Sequence, residues 1–458
     1  MADFDVIVAG GGVAGASTAA SLADQGYHVL LCEAGLPSGK RLAGELLHPP
    51  GVEQLDSLGL LEPMKRAGAV PVYGFAVFQS ATDPGTILSY SEIQGGRPTG
   101  LALEHATLTR TLLSAVSERA GVTVWSNARV LDSAPSAQGT DVTIRRGEET
   151  QHVSAYWVVS AEGRRSQLRE QAGISTDIQC TFRMLGWKLR GARLPYPGYG
   201  HLFIAGETPI LAYQVSRDEV RVMVELGLKE GLSVPPALLA SIPQPFREDL
   251  IAGMKTHPRT TARVVICRPQ RVTGTSLAVV GDAGGCVHPL TASGMSFCIA
   301  DGRRLAEAMG PRPDGEIDVS RGLFRYARSR LSPMTTRAAL GPAMIEALCG
   351  RTPAMRLLRH GLFRYWNQSS RGRSVSMGLL STREVRMGVM AREYAMVFAN
   401  ALAGIVDGPV PSHEVPAALG GLVHRTAGFA RTALGIEHFV PEWLARGRHR
   451  QGLSNSAS

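Results

Sequence analysis

The most informative absences concern membranes and secretion. No stretch of about 18 consecutive apolar residues occurs in the 458-residue chain, and the nearest candidate, "YAMVFANALAGIV" at 394–406, is shorter and carries Asn400. No basic segment precedes the first apolar run, "DFDVIVAGGG", which argues against a signal peptide. We therefore expect a cytoplasmic protein, either free or peripheral on the cytoplasmic membrane.

Patterns for metal binding and disulfides are also missing. The six Cys form no CxxC pair, and the twelve His show neither HxxxH nor HExxH spacing, so no zinc site is predicted. The cysteines lie mostly in apolar runs, which is typical of reduced thiols buried as small apolar groups. No metal is expected.

Charged residues make up only 19% of the chain and are unevenly distributed. From Arg321 to the C-terminus there are nineteen Arg, no Lys and seven acids, a net +12 that leaves −3 for residues 1–320 of the total of +9. Because these Arg alternate with Leu, Met, Phe and Trp, the pattern fits either a helical surface near anionic lipid or ordinary solvated helix faces. Nucleic acid is disfavoured, because no nucleic-acid-binding motif accompanies the charge.

What the N-terminus does contain is a strand, a glycine-rich turn, a helix and a second strand that ends at Glu33. This context makes a GxGxxG motif specific for a nucleotide, because its second glycine lets the backbone approach a pyrophosphate at a helix N-terminus. The terminal acid would bind a ribose and repel a 2′-phosphate, which favours FAD or NAD over NADP. The residues predicted to bind the nucleotide are Gly10, Gly12, Val13, Ala14, Gly15 and Glu33.

Two later segments place an acid directly after an apolar strand. "YWVVSAEG" ends at Glu162 and Gly163, and "SLAVVGD" ends at Gly281 and Asp282. In "HPLTASGM" (288–295), which follows, small residues and a Pro precede renewed helical spacing. Taken in order, the three segments resemble the aromatic-hydroxylase class of FAD monooxygenases.

Four further stretches resemble squalene epoxidases more narrowly. They are "GKRLAGELLHPPG" (39–51), "LPYPGYGHLFIAGETPILAYQVSRDEVRVMVE" (194–225), "HPLTASGMSFCIAD" (288–301) and "MGLLS" (377–381). Together with the N-terminal motif, they reach from one end of the chain almost to the other.

The resemblance implies an α/β fold, with a Rossmann-like FAD-binding domain of the glutathione-reductase type, an inserted β-sheet substrate domain and C-terminal helices. It also implies that Asp282 binds the ribityl and pyrophosphate part of FAD, and that the following helix directs its N-terminus at the flavin ring. The FAD contacts implied in addition to the N-terminal motif are Arg41, Glu45, Arg110, Glu162, Gly163, Gly281, Asp282, Pro289, Gly294 and Met295.

Three departures from the family pattern bear on these contacts. Glu162 stands where the family usually has Asp, and Thr291–Ser293 reads TAS where the family has TGG, which costs backbone freedom near the ring. His105 replaces an Arg that usually opens a helix. We expect the contacts at these positions to be altered.

The predicted domains interleave along the chain. They are 1–70, 100–180 and 264–330 for the FAD-binding domain, 71–99 and 181–263 for the substrate domain, and 331–458 for a basic helical region able to associate with membrane.

The resemblance further implies that this enzyme epoxidises a carbon–carbon double bond of an isoprenoid, either squalene or a shorter prenyl chain. The flavin, after reaction with O2, carries the electrophilic oxygen, so no catalytic side chain is expected. The protein would supply a dry cavity and an apolar slot. Segments 201–215 and 219–228 alternate like strands. The predicted substrate-binding residues are Phe75, Phe203, Leu211, Tyr213 and Val215.

Two alternatives keep the same fold. An aromatic hydroxylase would favour a polar group that deprotonates a phenol, and the strands offer little beyond Tyr213 and Arg221. A prenyl reductase would use reduced FAD to saturate a double bond without O2. Since no second glycine-rich nucleotide motif exists, NAD(P)H would either bind transiently or act through a separate reductase, and the resemblance favours the reductase.

Overall fold

The computed structural model describes residues 2–35, 42–137, 139–205, 208–228, 231–405, 408 and 410–433. The strands are β1 (Phe4–Ala9), β2 (Val29–Glu33), β3 (Leu46–Leu47), β4 (Val70–Val72), β5 (Gly74–Phe78), β6 (Thr86–Ser89), β7 (Gly100–Ala102), β8 (Val122–Ser126), β9 (Ala128–Ser136), β10 (Gly139–Arg146), β11 (Glu149–Ser160), β12 (Thr176–Arg190), β13 (Gly200–Ala205), β14 (Thr208–Gln214), β15 (Glu219–Gly227), β16 (Thr260–Pro269) and β17 (Leu277–Val279). The helices are α1 (Val13–Asp24), α2 (Pro49–Ser57), α3 (Leu61–Arg66), α4 (His105–Ser117), α5 (Gln167–Gln171), α6 (Pro236–Ala240), α7 (Phe246–Thr256), α8 (Gly294–Met309), α9 (Val319–Cys349), α10 (Pro353–Gln368), α11 (Ser370–Leu380), α12 (Met387–Ala403) and α13 (Val415–Ala433).

The first sheet joins strands from three separate parts of the chain. Strands β8, β2, β1 and β11 are parallel neighbours, β17 pairs with β11 in parallel, and β10 and β9 extend the sheet antiparallel. Ala9 lies opposite both Cys32 and Ser160, and Ser160 lies opposite Val279. The carboxyl ends of β1, β2, β11 and β17 therefore meet at one edge, which is where open α/β sheets bind ligands.

The second sheet has the order β16-β12-β15-β14-β13-β5-β6 and is antiparallel except between β13 and β5. It is wider than the predicted segment 181–263, because β12 begins at Thr176 and β16 continues to Pro269. Each of these two strands therefore crosses a predicted boundary between the FAD-binding domain and the substrate domain. A small third sheet has the order β3-β7-β4.

Side chains alternate across the second sheet and divide it into two apolar faces. One face, called the far face below, packs against α6 and α7. The opposite face, called the near face, packs against α9 to α12. Far-face residues include Ala76, Phe203, Ile210, Ala212 and Val222, whereas near-face residues include Phe75, Leu202, Leu211, Tyr213 and Val215. The predicted fold class, an FAD-type α/β domain with an inserted sheet and C-terminal helices, is confirmed.

The C-terminal helices cover the near face with buried Leu, Met, Phe and Trp side chains. Across the described ranges, none of the helices combines the length and the apolar character needed to cross a bilayer.

Candidate active site

The turn between β1 and α1 shows why each glycine of the motif is there. A Cβ on Gly15 would lie 1.7 Å from the carbonyl oxygen of Gly10, and a Cβ on Gly10 would lie 2.6 Å from that of Ala161. Gly10 also has φ +102°, a left-handed conformation that favours glycine. Gly12, by contrast, has no atom within 4 Å of its Cβ position. The first and third glycines allow close packing, and the second leaves open space at the N-terminus of α1, which begins at Val13 and Ala14.

Glu33 lies at the end of β2 beside this turn. Its carboxylate accepts hydrogen bonds from the N–H groups of Gly11 at 2.6 Å and Gly35 at 2.7 Å. These bonds hold the acid next to the glycine turn, where the sequence predicts a ribose.

The element after β17 carries the acid Asp282. Asp282 is half-buried, and among the described residues no group donates a hydrogen bond to its carboxylate. Gly281 before it has φ +60°, and its N–H donates to Asp301 at 2.8 Å. Arg330 on α9 donates to both oxygens of Asp301 at 2.8 and 3.0 Å. This buried pair, which the sequence analysis missed, fixes the turn that presents Asp282.

Glu162 differs from Asp282 because its carboxylate already has protein donors. It accepts hydrogen bonds from the hydroxyls of Ser160 and Ser166 and from the N–H of Leu168, at 3.1, 2.8 and 3.0 Å. Glu162 therefore stabilises the start of α5. Gly163 after it has φ +75° and no atom within 4 Å of its Cβ position. Their contact with FAD stays a prediction.

Glu45 is also engaged by the protein, in a contact between the segment before β3 and the second sheet. Arg221 of β15 donates two hydrogen bonds to it at 2.8 and 2.6 Å, and the hydroxyl of Tyr213 lies 3.4 Å away. Both partners in the ion pair are almost fully buried. Burial alone would lower the pKa of Arg221, but the hydrogen bonds and charge of Glu45 raise it overall. Burial, and then the charge of Glu45, raises the pKa of Tyr213, which keeps the phenol protonated.

The segment before α8 lies at the same edge of the first sheet. Pro289 is exposed at the start of a short 3-10 turn, and Ala292 has the left-handed φ of 49°. Gly294 begins α8 with no atom within 4 Å of its Cβ position, while the Met295 side chain packs 3.2 Å from a Cβ built on Gly44. The N-terminus of α8 is therefore open at Gly294.

A buried histidine braces this segment. His48 Nε2 lies 2.8 Å from the carbonyl oxygen of Thr291, so it must carry the proton, and Nδ1 then accepts from the Tyr90 hydroxyl at 2.6 Å. The backbone N–H of His48 donates to Ser296 on α8 at 2.9 Å. Burial lowers the pKa of His48 to about 4, although the bond to Thr291 opposes the shift. The sequence analysis missed this network, since nothing local joins positions 48, 90 and 291.

Two predicted arginines remain predictions. Arg41 lies outside the described residues. Arg110 is exposed on α4, where it donates a long 3.5 Å hydrogen bond to Thr107. One turn further along α4, the Leu113 side chain lies 3.0 Å from a Cβ built on Gly11, so this helix does pass beside the glycine turn.

The predicted substrate wall divides between the two faces of the second sheet. Phe75, Leu211, Tyr213 and Val215 lie on the near face, towards the C-terminal helices. Phe203 does not: it is fully buried on the far face, stacked on Phe246 at 5.7 Å between ring centroids. Phe203 lies apart from the other four because its strand presents even-numbered Leu202 and Ile204, not odd-numbered residues, to the near face. Its contact with substrate stays a prediction.

Comparison with known proteins decides the family. Residues 154–407, more than half of the chain, match the family model for squalene epoxidase, and residues 3–204 match an FAD-binding domain. The chain belongs to the squalene epoxidase family. It is an FAD-dependent monooxygenase.

Curated relatives in this family match over most of their length. The squalene epoxidase of Aspergillus fumigatus is 27% identical over 380 residues, covering 79% of each chain. Squalene monooxygenase from Mus musculus is 24% identical over 87% of this chain and 71% of its own. Squalene epoxidase 3 from Arabidopsis thaliana is 27% identical over 88% and 78%, respectively.

Solved structures share the fold at lower identity. A flavoprotein/dehydrogenase from Cytophaga hutchinsonii superposes with a TM-score of 0.71 at 15% identity, covering 88% of this chain and 99% of its own. p-Nitrophenol 4-monooxygenase from Pseudomonas putida gives 0.68 at 18% identity, covering 82% and 98%.

FAD, the cofactor of this squalene epoxidase family member, fits the residues present. Positions Gly12, Gly163 and Gly294 leave open space where their Cβ atoms would project. The N-termini of α1 and α8 supply N–H donors and positive dipole ends for anionic groups. Asp282 offers a carboxylate that no described protein group satisfies, suited to the ribityl hydroxyls. When bound, FAD supplies the oxygen-transfer chemistry.

Proposed function

We propose that this protein epoxidises a carbon–carbon double bond of an isoprenoid held between the near face and the segment 288–295. The observation that carries the proposal is the character of that face. Its apolar side chains are accompanied by polar groups that bind one another, since Glu45 pairs with Arg221 and Glu225 Oε2 lies 2.9 Å from His288 Nε2. Such a wall suits an uncharged alkene.

The role of the chain's own residues is then positioning and exclusion of water. Phe75 and Leu211, each 8% exposed, would contact the alkene, and the C-terminal helices would keep bulk water from it. Tyr213 holds its proton, so it supplies no base for a phenol. Membership of the squalene epoxidase family favours epoxidation over aromatic hydroxylation.

The decisive experiment uses FAD-loaded protein, a flavoprotein reductase with NADPH, and ¹⁸O2. Squalene, farnesyl and geranylgeranyl compounds and a prenylated aromatic are offered together, and product masses are measured. One labelled oxygen in an alkene-derived epoxide supports the proposal and identifies the substrate class. A labelled ring hydroxyl would make the protein an aromatic hydroxylase, and loss of a double bond without label would make it a reductase.

Electrons would come from NAD(P)H through a separate reductase. The sequence has one glycine-rich nucleotide motif, and it is the one assigned to FAD. We expect NADPH alone to bleach the flavin absorbance slowly and a reductase to accelerate the bleaching. Rapid bleaching by NADPH alone would refute the need for a partner.

Peripheral contact with a bilayer would give access to a lipid-like substrate. On α12, Met396 and Leu402 are 43% and 39% exposed, and Arg392, which is 48% exposed and paired with Glu393, lies one turn before Met396. We expect co-sedimentation with anionic vesicles that weakens when Met396 and Leu402 are replaced by Asp. Ile251→Asp on α7, which packs on the far face, is the control. Native protein that stays wholly in the supernatant would contradict the proposed contact with a bilayer.

A further inference from the structure

Arg337 is a buried cation that has no carboxylate partner among the described residues. The residue is 5% exposed, and within the described part of the chain no acidic side chain forms an ion pair with it. Its Nε donates to the Ser293 hydroxyl at 3.3 Å, its Nη1 lies 3.7 Å from the sulfur of Met334, and its guanidinium lies 3.9 Å from the centre of the Phe297 ring. Neutral contacts thus replace the usual counter-ion.

A second buried arginine on the same helix shows the contrast. Arg330, two turns earlier on α9, binds both oxygens of Asp301 and the carbonyl oxygen of Gly284. Its charge is therefore compensated locally. A buried charge is costly unless something compensates it. Because Arg337 has no carboxylate partner among the described residues, packing alone does not explain why an arginine is buried here.

The position of Arg337 indicates what its charge acts on. Ser293, which it contacts, immediately precedes Gly294, the first residue of α8, so the guanidinium adds to the positive end of that helix. Burial lowers the pKa of Arg337 to about 10, and the charge of Asp282 opposes the shift. The side chain therefore remains cationic at neutral pH next to the start of α8.

We propose that Arg337 raises the reduction potential of the bound flavin by stabilising the negative charge that the ring gains on reduction. Two electrons, delivered from NAD(P)H through the reductase, and one proton convert the neutral oxidised ring into an anion. A cation in a water-poor site favours the anion far more than it would in water. The inference rests on the proposed function only in that FAD lies at this edge.

The test compares the potential of bound FAD in the native protein and in Arg337→Met, by equilibrating each with a reference dye during stepwise reduction by dithionite. We expect the ratio of reduced to oxidised flavin at a given potential to fall at least tenfold, which is about 30 mV for a two-electron couple. Arg337→Lys keeps the charge and should recover most of the native value.

Arg304→Met is the matched control. Arg304 also lies over the Phe297 ring, at 5.5 Å, but among the described residues it forms no hydrogen bond with Ser293 or Gly294, and its Cα lies ten residues along α8 from that of Gly294, about 15 Å at the helical rise. We expect its removal to change the ratio less than threefold. An Arg337→Met potential equal to the native one, or an equal shift in Arg304→Met, would overturn the inference.

Circular dichroism shows whether each variant is folded, and FAD fluorescence shows whether it binds FAD. A change in potential is thereby distinguished from loss of folding or of cofactor. Arg337→Gln, which can still bond to Ser293, is a second neutral variant and should shift the potential in the same direction. If the native protein binds no FAD at all, the proposed function fails first. If it binds FAD and either folded neutral variant keeps the native potential, only the role of Arg337 fails.

Discussion

Arg221 and Glu45, 176 residues apart, form a bidentate ion pair in which the two side chains are 6% and 1% exposed. Arg221 belongs to the second sheet, and Glu45 immediately precedes β3, on the chain segment that leads from the FAD-binding unit. The pair therefore joins the parts of the molecule that would hold the flavin and the substrate.

Breaking this pair should destabilise the fold strongly. Arg221→Met leaves the Glu45 carboxylate buried without its cation, so we expect a loss of about 3–5 kcal/mol in the free energy of unfolding. Urea unfolding followed by circular dichroism measures it. Arg193→Met, which removes a 60%-exposed partner of Asp249, should leave the free energy of unfolding nearly unchanged, because exposed ion pairs contribute little to stability. Equal costs would show that the buried pair has no special role.

Gly12→Ala should weaken FAD binding without unfolding the protein. Gly12 has φ −68°, which alanine adopts readily, and the added methyl group would project into open space at the N-terminus of α1. We expect the FAD dissociation constant, from fluorescence titration, to rise about tenfold or more because the methyl group blocks the pyrophosphate. Gly388→Ala on α12 also meets open space and should leave the constant unchanged. An unchanged value for both variants would place the pyrophosphate elsewhere.

His48 should make stability depend on pH. Its pKa is lowered to about 4 in the folded state from an ordinary 6.5, so below pH 6.5 the unfolded chain binds a proton that the folded protein refuses. The contribution of neutral His48 to the free energy of unfolding is complete above pH 6.5 and is lost as pH falls towards 4. This loss amounts to about 2 kcal/mol between pH 7.5 and 5.0.

His48→Gln removes that titration while keeping a donor and an acceptor. We expect the Tm of this variant to fall less than the native Tm between pH 7.5 and 5.0. His201, whose pKa burial also lowers to about 4, retains its contribution in both proteins, so the difference isolates His48. Parallel losses of Tm would contradict the assignment.

Neighbouring residues of β14 should separate substrate binding from stability. Leu211 lies on the near face and Ile210 on the far face, fully buried. Leu211→Ala should lower kcat/KM for the alkene about tenfold. Ile210→Ala should lower the free energy of unfolding by about 2–5 kcal/mol and leave kcat/KM of the folded enzyme near the native value. The same loss of kcat/KM in both variants would remove the near face from the substrate site.

Local sequence patterns were enough to predict the nucleotide-binding edge of the first sheet. The glycine turn, Glu33, Glu162 and Asp282 each follow an apolar run directly, and parallel strands bring their carboxyl ends together. These signals are local, because each depends on residues within one strand and its turn. The fold class follows from the same pattern.

The side chains that contact these acids and strands could be identified from the tertiary structure but not from the sequence. Alternation predicted two faces of the second sheet but not which residues of different strands share a face, and the structure places Phe203 on the face opposite to Leu211 and Tyr213. The partners of Glu45, His48 and Arg337 come from strands and helices far along the chain. Such pairs depend on how packed elements dock, and residue spacing within one element carries no information about that.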